Sequence, residues 1–193
     1  MNTVNNTNTI VANLGAGLAG RLLSQLISFF IVVYLARILG PADYGDISLA
    51  FAIVSYFELL AVFGLPTIGI REVAATQRKS MPIVSTIFSL RLFLSLISYL
   101  LLMIYGYLFV ANTRIFHLLL LYGLTMISTA FILDWFFVGT ENLQAVSIAT
   151  VAGNVVNGGL TFFLINSTAD IYFIPMNILS MELFRNAVPL IFQ

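Results

Sequence analysis

The chain has 193 residues, of which 60% are hydrophobic and 8% charged, with zero formal net charge and a mean hydropathy of +1.03. A soluble domain keeps about a quarter of its residues charged, so this composition excludes a water-solvated globule, and the neutral balance gives no footprint for a nucleic-acid partner. Cysteine is absent, which removes disulfides and thiolate metal sites.

Residues Asn2–Thr9 are polar and carry no Lys or Arg. They lack the basic start of a signal peptide, and the apolar block that follows is too long for one. They read as a short disordered tail ahead of an uncleaved anchor.

Six apolar blocks then fill the chain: Ile10–Leu39, Ile47–Ile70, Ile83–Val110, Ile115–Val138, Leu143–Ile165 and Ile171–Phe192. A bilayer core needs about 20 apolar helical residues to cross it, and each block is long enough. Leu92–Met103 (LFLSLISYLLLM) is apolar on both faces, which disfavours the alternation of a β-barrel strand. The expected fold is an all-α integral membrane protein with about six transmembrane helices in one domain.

The joints carry the next information. Gly40-Pro41 should end the first helix, with Asp46 or Ser48 placed to cap the second. Phe63-Gly64-Leu65-Pro66 reads as a kink or break, followed by a short interfacial helix over Arg71–Lys79. Joint 70–82 holds Arg71, Arg78 and Lys79, joint 40–46 only Asp43 and Asp46, joint 111–114 a single Arg114. The basic joint should be cytoplasmic, which places the N-terminus inside and sends the first, third and fifth helices outward.

Ionisable groups within apolar blocks suggest function. Arg21 lies about eleven residues into the first block, and Asn13, Gly17, Arg21, Ser24, Gln25 and Ser28 share one helical face. That face is either a small-residue packing seam, with Arg21 snorkelling to the interface, or a cavity wall presenting a guanidinium to a diphosphate. Arg91 in the third block and Glu58 in the second form either a buried polar seam or a cationic cavity with a tempering carboxylate. Gln144, Ser147, Asn154, Gly158 and Thr161 form a stripe in the fifth block, with Asn157 adjacent, suited either to neighbouring helices or to sugar hydroxyls. Glu182 and Arg185 are spaced to pair within the sixth helix. Trp135, Tyr34 and Tyr44 fall near block ends, as an aromatic belt does. The single histidine, His117, reads as a wet interfacial side chain, and the sequence has no enzyme signature, no cofactor motif and no metal-ligand pattern.

Tyr34–Ala50 (YLARILGPADYGDISLA), Phe63–Glu72 (FGLPTIGIRE) and Asp134–Asn142 (DWFFVGTEN) together resemble, in order and spacing, the opening half of Wzx-type polysaccharide flippases. These belong to the superfamily of multidrug, oligosaccharidyl-lipid and polysaccharide exporters. The resemblance implies one lobe of a two-lobed transporter in a bacterial cytoplasmic (inner) membrane. It implies a lipid-linked oligosaccharide as substrate, for O-antigen or capsule assembly, with membrane lipids as surroundings. It also implies a missing C-terminal lobe, or a homodimer in its place, and a partial reading frame ending at Gln193. On that reading the candidate cavity residues are Arg21, Gln25, Glu58, Arg91 and Asn154. The alternatives are a multidrug antiporter resting on Glu58, an assembly subunit without transport, and a membrane enzyme of glycan assembly, which outer joints of only four to seven residues disfavour.

Overall fold

The computed structural model describes residues 3–76 and 81–187. Among them every regular element is helical: α1 (Thr3–Val62), α2 (Leu65–Thr76), α3 (Met81–Phe109), α4 (Thr113–Thr129), α5 (Asp134–Gly139), α6 (Leu143–Leu164) and α7 (Phe173–Ala187), with a short 3-10 turn at Thr168–Tyr172 before α7. Arg78, Lys79 and the end of the last apolar block lie outside the described residues.

Four helical stretches are long and apolar enough to cross a membrane: Gly17–Ala75, Pro82–Phe109, Thr113–Gly139 and Leu143–Leu164. The first merges two of the expected blocks, because helix resumes directly after Gly40. A straight helix of 60 residues would reach roughly 90 Å, about three bilayer cores, but α1 breaks at Gly40, whose φ of 72° and ψ of 176° are non-helical. Glycine takes that left-handed φ without a Cβ penalty. Pro41 then starts the second segment, where its missing N–H costs nothing. The expected cap at Asp46 or Ser48 is therefore superseded, and Ser48 Oγ donates back to Tyr44 O at 2.8 Å inside the helix.

Three other expectations are corrected. The polar start is helical from Thr3, since extending an existing helix fixes one residue per added bond. The break expected at Phe63-Gly64-Leu65-Pro66 is present, with φ of 39° and 72° at Phe63 and Gly64, but helix resumes as α2 already at Leu65, six residues before the expected interfacial helix. The fourth block is interrupted between Thr129 and Asp134.

Side-chain pairings give the helix directions. Gly20 meets Ser147, Gly158 meets Ile31, and the Tyr34 hydroxyl donates to Ile165 O at 3.0 Å, so the first segment of α1 runs parallel to α6. Asp43 pairs with Arg114, and Phe51 packs on Tyr122, so the second segment runs parallel to α4. His117 lies beside Tyr172, Ser128 beside Glu182 and Asp134 beside Arg185, which makes α7 parallel to α4–α5. The acidic joint and Arg114 consequently share one end of the bundle.

The main core lies among α1, α4 and α7, around Ala50, Val54, Leu118, Leu119, Met126 and Ile174. A second cluster joins Leu65, Val73, Ile87 and Trp135 at the opposite end. Trp135 is buried there, where glycine at position 69 leaves room for its ring against α2.

Candidate functional site

The polar face of α1 meets α6 at Gly20. A Cβ built on Gly20 would sit 2.8 Å from Ser147 Cβ, so the two helices approach only because residue 20 is glycine. Beside this contact the helices diverge around a cavity of about 450 Å³. Arg21, Ser24, Gln25 and Ser28 line it from α1, and Ser147 and Thr150 from α6. Ser28 also borders an adjoining space of about 360 Å³, lined by Tyr44, Ser48, Asn154, Asn157 and Thr161. The two form one groove along α1 and α6, each within the usual volume of a ligand pocket.

Arg21 is exposed to the groove, and its guanidinium makes no ion pair or hydrogen bond with any described residue. Ser24 is 7% exposed, yet its hydroxyl has no hydrogen-bond partner. A buried polar group without a partner is costly, so the Ser24 hydroxyl is a vacant valence in the wall. Ser147 and Thr150, by contrast, donate to the main-chain oxygens of Leu143 and Val146, leaving their oxygens to accept. The groove thus offers one cation, one unsatisfied hydroxyl and amides with both donors and acceptors.

The structure gathers Arg21, Gln25 and Asn154 on this groove and places Arg91 and Glu58 elsewhere. Arg91 is 5% exposed, and its guanidinium donates to Thr129 O at 2.5 Å and Ile132 O at 2.8 Å. Thr129 is the last residue of α4 and Ile132 lies in the interruption before α5, and the Thr129 oxygen also accepts from the Ile132 main-chain N–H at 3.1 Å. Glu58 is half-buried on α1 within electrostatic reach of Arg91. The expected pairing of Glu182 with Arg185 is replaced: Arg185 pairs with Asp134 at 3.1 Å, and Glu182 meets Ser128 on α4. The two side chains leave α7 toward different neighbours, Arg185 toward α5 and Glu182 toward α4.

Sequence reasoning passed over Tyr44 and Ser48 as groove residues. Their only signal was position in the joint; the return of the chain at Gly40 brings them beside α6.

Residues 10–191 match the family described as polysaccharide biosynthesis protein. The chain belongs to that family. It is the family of the Wzx-type polysaccharide flippases, as the joint motifs around Gly40, Gly64 and Gly139 implied. No curated protein and no solved structure matches the chain. Membership and the apolar helices together make this a multi-pass membrane protein of polysaccharide biosynthesis. Members of the polysaccharide biosynthesis family are transporters rather than enzymes.

Proposed function

We propose that this chain forms one lobe of a transporter that turns lipid-pyrophosphate-linked oligosaccharide across a bacterial cytoplasmic membrane for O-antigen or capsule assembly. The α1/α6 groove is one wall of its transport cavity. The facing wall comes from a second bundle, either a C-terminal lobe or a second copy of this chain. In this reading the two segments of α1, α3, α4–α5, α6 and α7 make six membrane passes, with the N-terminus cytoplasmic.

The observation that carries the reading is the Arg21 guanidinium, which has no ion pair or hydrogen bond among the described residues, beside the unsatisfied Ser24 hydroxyl. An unpaired cation at membrane depth is expensive and awaits an anion, and a planar guanidinium suits the adjacent oxygens of a diphosphate. Gln25, Asn154 and Asn157 then meet sugar hydroxyls, while the lipid tail stays in the bilayer. Rocking of the two lobes alternates access to the cavity. The multidrug-antiporter alternative rests on Glu58, which lies beside Arg91 and away from this groove.

The test is export of sugar chains by the intact transporter in cells that lack their own. Arg21→Ala should abolish most export at normal protein level, and Arg21→Lys should retain part of it, keeping charge without bidentate geometry. Wild-type export from Arg21→Ala would remove the groove from the transport path and leave an assembly role.

A further inference from the structure

The smaller of the two spaces in the groove, about 360 Å³, is walled by α1, α4, α6 and α7. Asn154, Asn157 and Thr161 fall on one face of α6 and line it, and Tyr122 lines it from α4. Tyr122 and Thr161 are each 2% exposed. Neither hydroxyl, and neither asparagine amide, has a hydrogen-bond partner among the described residues. Other hydroxyls on the same helices are spent on main-chain oxygens: Thr125 donates to Tyr122 O at 2.6 Å and Thr150 to Val146 O at 2.8 Å. Four polar groups therefore border one space with nothing to bond, and leaving such groups unpaired is costly.

The space is also uncharged. No Asp, Glu, Lys, Arg or His among the described residues lines it. Asp43 and Asp46 lie beside Tyr44, which does line it, but they pair with Arg114. Glu182 follows Met181, another lining residue, but turns to Ser128 on α4, and Arg185 turns to Asp134. The cation of the groove, Arg21, borders the larger space and is about 10 Å along α1 from Ser28, where the two spaces meet.

We propose that the smaller space is a sugar subsite selective for an uncharged ring, with Tyr122, Asn154, Asn157 and Thr161 as its specificity-determining residues. This inference rests on the reading of the groove as a transport cavity and adds the class of sugar that the cavity takes. Each hydroxyl of a pyranose both donates and accepts. The amides and hydroxyls of the wall do the same, so they can satisfy such a ring from α4 and α6 together. The rings of Tyr44 and Phe51 also line the space, and the negative face of an aromatic ring attracts the C–H groups of a sugar. A carboxylate on the sugar would leave water for a space with no cation to meet it, which is strongly unfavourable. A site built to hydrogen-bond a ligand hydroxyl discriminates sharply, because a poor match leaves its own polar groups unpaired.

The test measures binding by calorimetry, with the purified full chain in lipid nanodiscs. The probes are a short-chain prenyl pyrophosphate and the same compound extended by glucose or by glucuronic acid. Glucose should tighten binding about tenfold, the effect of one or two net hydrogen bonds, and glucuronic acid should not. In the double variant Tyr122→Phe, Thr161→Val, which removes two hydroxyls with little change of shape, the gain from glucose should shrink severalfold. An undiminished gain in that variant overturns the proposal, as does equal binding of the glucose and glucuronic acid probes. Should the double variant fail to fold, the comparison of those two probes on the wild type decides. Bare prenyl pyrophosphate that binds, is lost in Arg21→Ala and gains nothing from glucose overturns this inference and leaves the groove reading standing. Bare prenyl pyrophosphate that does not bind, or binds equally in Arg21→Ala, overturns both.

Discussion

The guanidinium of Arg91 on α3 meets the main-chain oxygen of Thr129, the last residue of α4, at 2.5 Å. Together with the bond to Ile132 O it closes the end of α4, where the fourth apolar block is interrupted before α5. A hydrogen bond to a charged group contributes about 1.5–3 kcal/mol, and buried acceptors left open add their own penalty. Arg91→Ala should therefore destabilise the bundle by about 3 kcal/mol, measured as a lower midpoint of thermal unfolding in detergent. Arg91→Lys should recover only part, since one ammonium cannot reproduce the fork. Arg21→Ala, which breaks no described bond, should leave the midpoint where it was. Equal midpoints for both alanine variants would show that Arg91 does not hold the end of α4.

Close approach of α1 and α6 depends on glycine at position 20. Gly20→Ala places a methyl group 2.8 Å from Ser147 Cβ, and overpacking of this kind costs about 1–3 kcal/mol. The variant should unfold at lower temperature and export less, because the wall of the groove shifts. Ser147→Gly should restore stability in the double variant by vacating that space. Additive losses in the double-mutant cycle would show that the two positions do not touch.

These two predictions mark what could be read from the sequence and what could not. Apolar length is local information, so an all-helical chain with membrane-long helices was legible, though four such stretches stand where six were expected, as was the break at Gly40-Pro41, where two adjacent residues both oppose helix continuation. The interruption between Thr129 and Asp134 was hidden, because Ala130–Leu133 is apolar and holds neither Gly nor Pro. The polar faces of α1 and α6 were legible from their 3.6-residue spacing, though not that they form one groove. Arg91 looked like a cavity cation because its partners are main-chain carbonyls 38 and 41 residues away, and any residue supplies a carbonyl. Glu182 and Arg185 looked paired because spacing along one helix does not reveal which neighbour each side chain meets.

The α2–α5 contact should be equally sensitive to volume. Gly69 faces the indole of Trp135, and Ile87 fills the third side. Gly69→Ala should cost about 1–3 kcal/mol, read as a lower unfolding midpoint, while Ala74→Gly on the exposed face of α2 should cost about 1 kcal/mol or less. A Gly69→Ala midpoint equal to wild type would show that the α2–α5 layer is loosely packed.

At the acidic end of the bundle, Asp170 accepts hydrogen bonds from the Asn166 and Ser167 amides and from the Ser167 hydroxyl. The Asn166 main-chain bond, then the Ser167 hydroxyl, hold its carboxyl below the ordinary value of 3.8. A carboxyl lowered in the folded state contributes stability that is fully present above its unfolded value and is lost as pH falls through the folded one. The turn at Thr168–Tyr172 should therefore hold unchanged at neutral pH and loosen below about 3.8, entering the range where other carboxyls are also protonated. Amide hydrogen exchange at Asn166 and Ser167 is the measurement that isolates it. Protection there should fall with acidification in the wild type, and should be low and independent of pH over that range in Asp170→Asn. Equal protection in the two proteins at neutral pH would show that the carboxylate does not hold the turn.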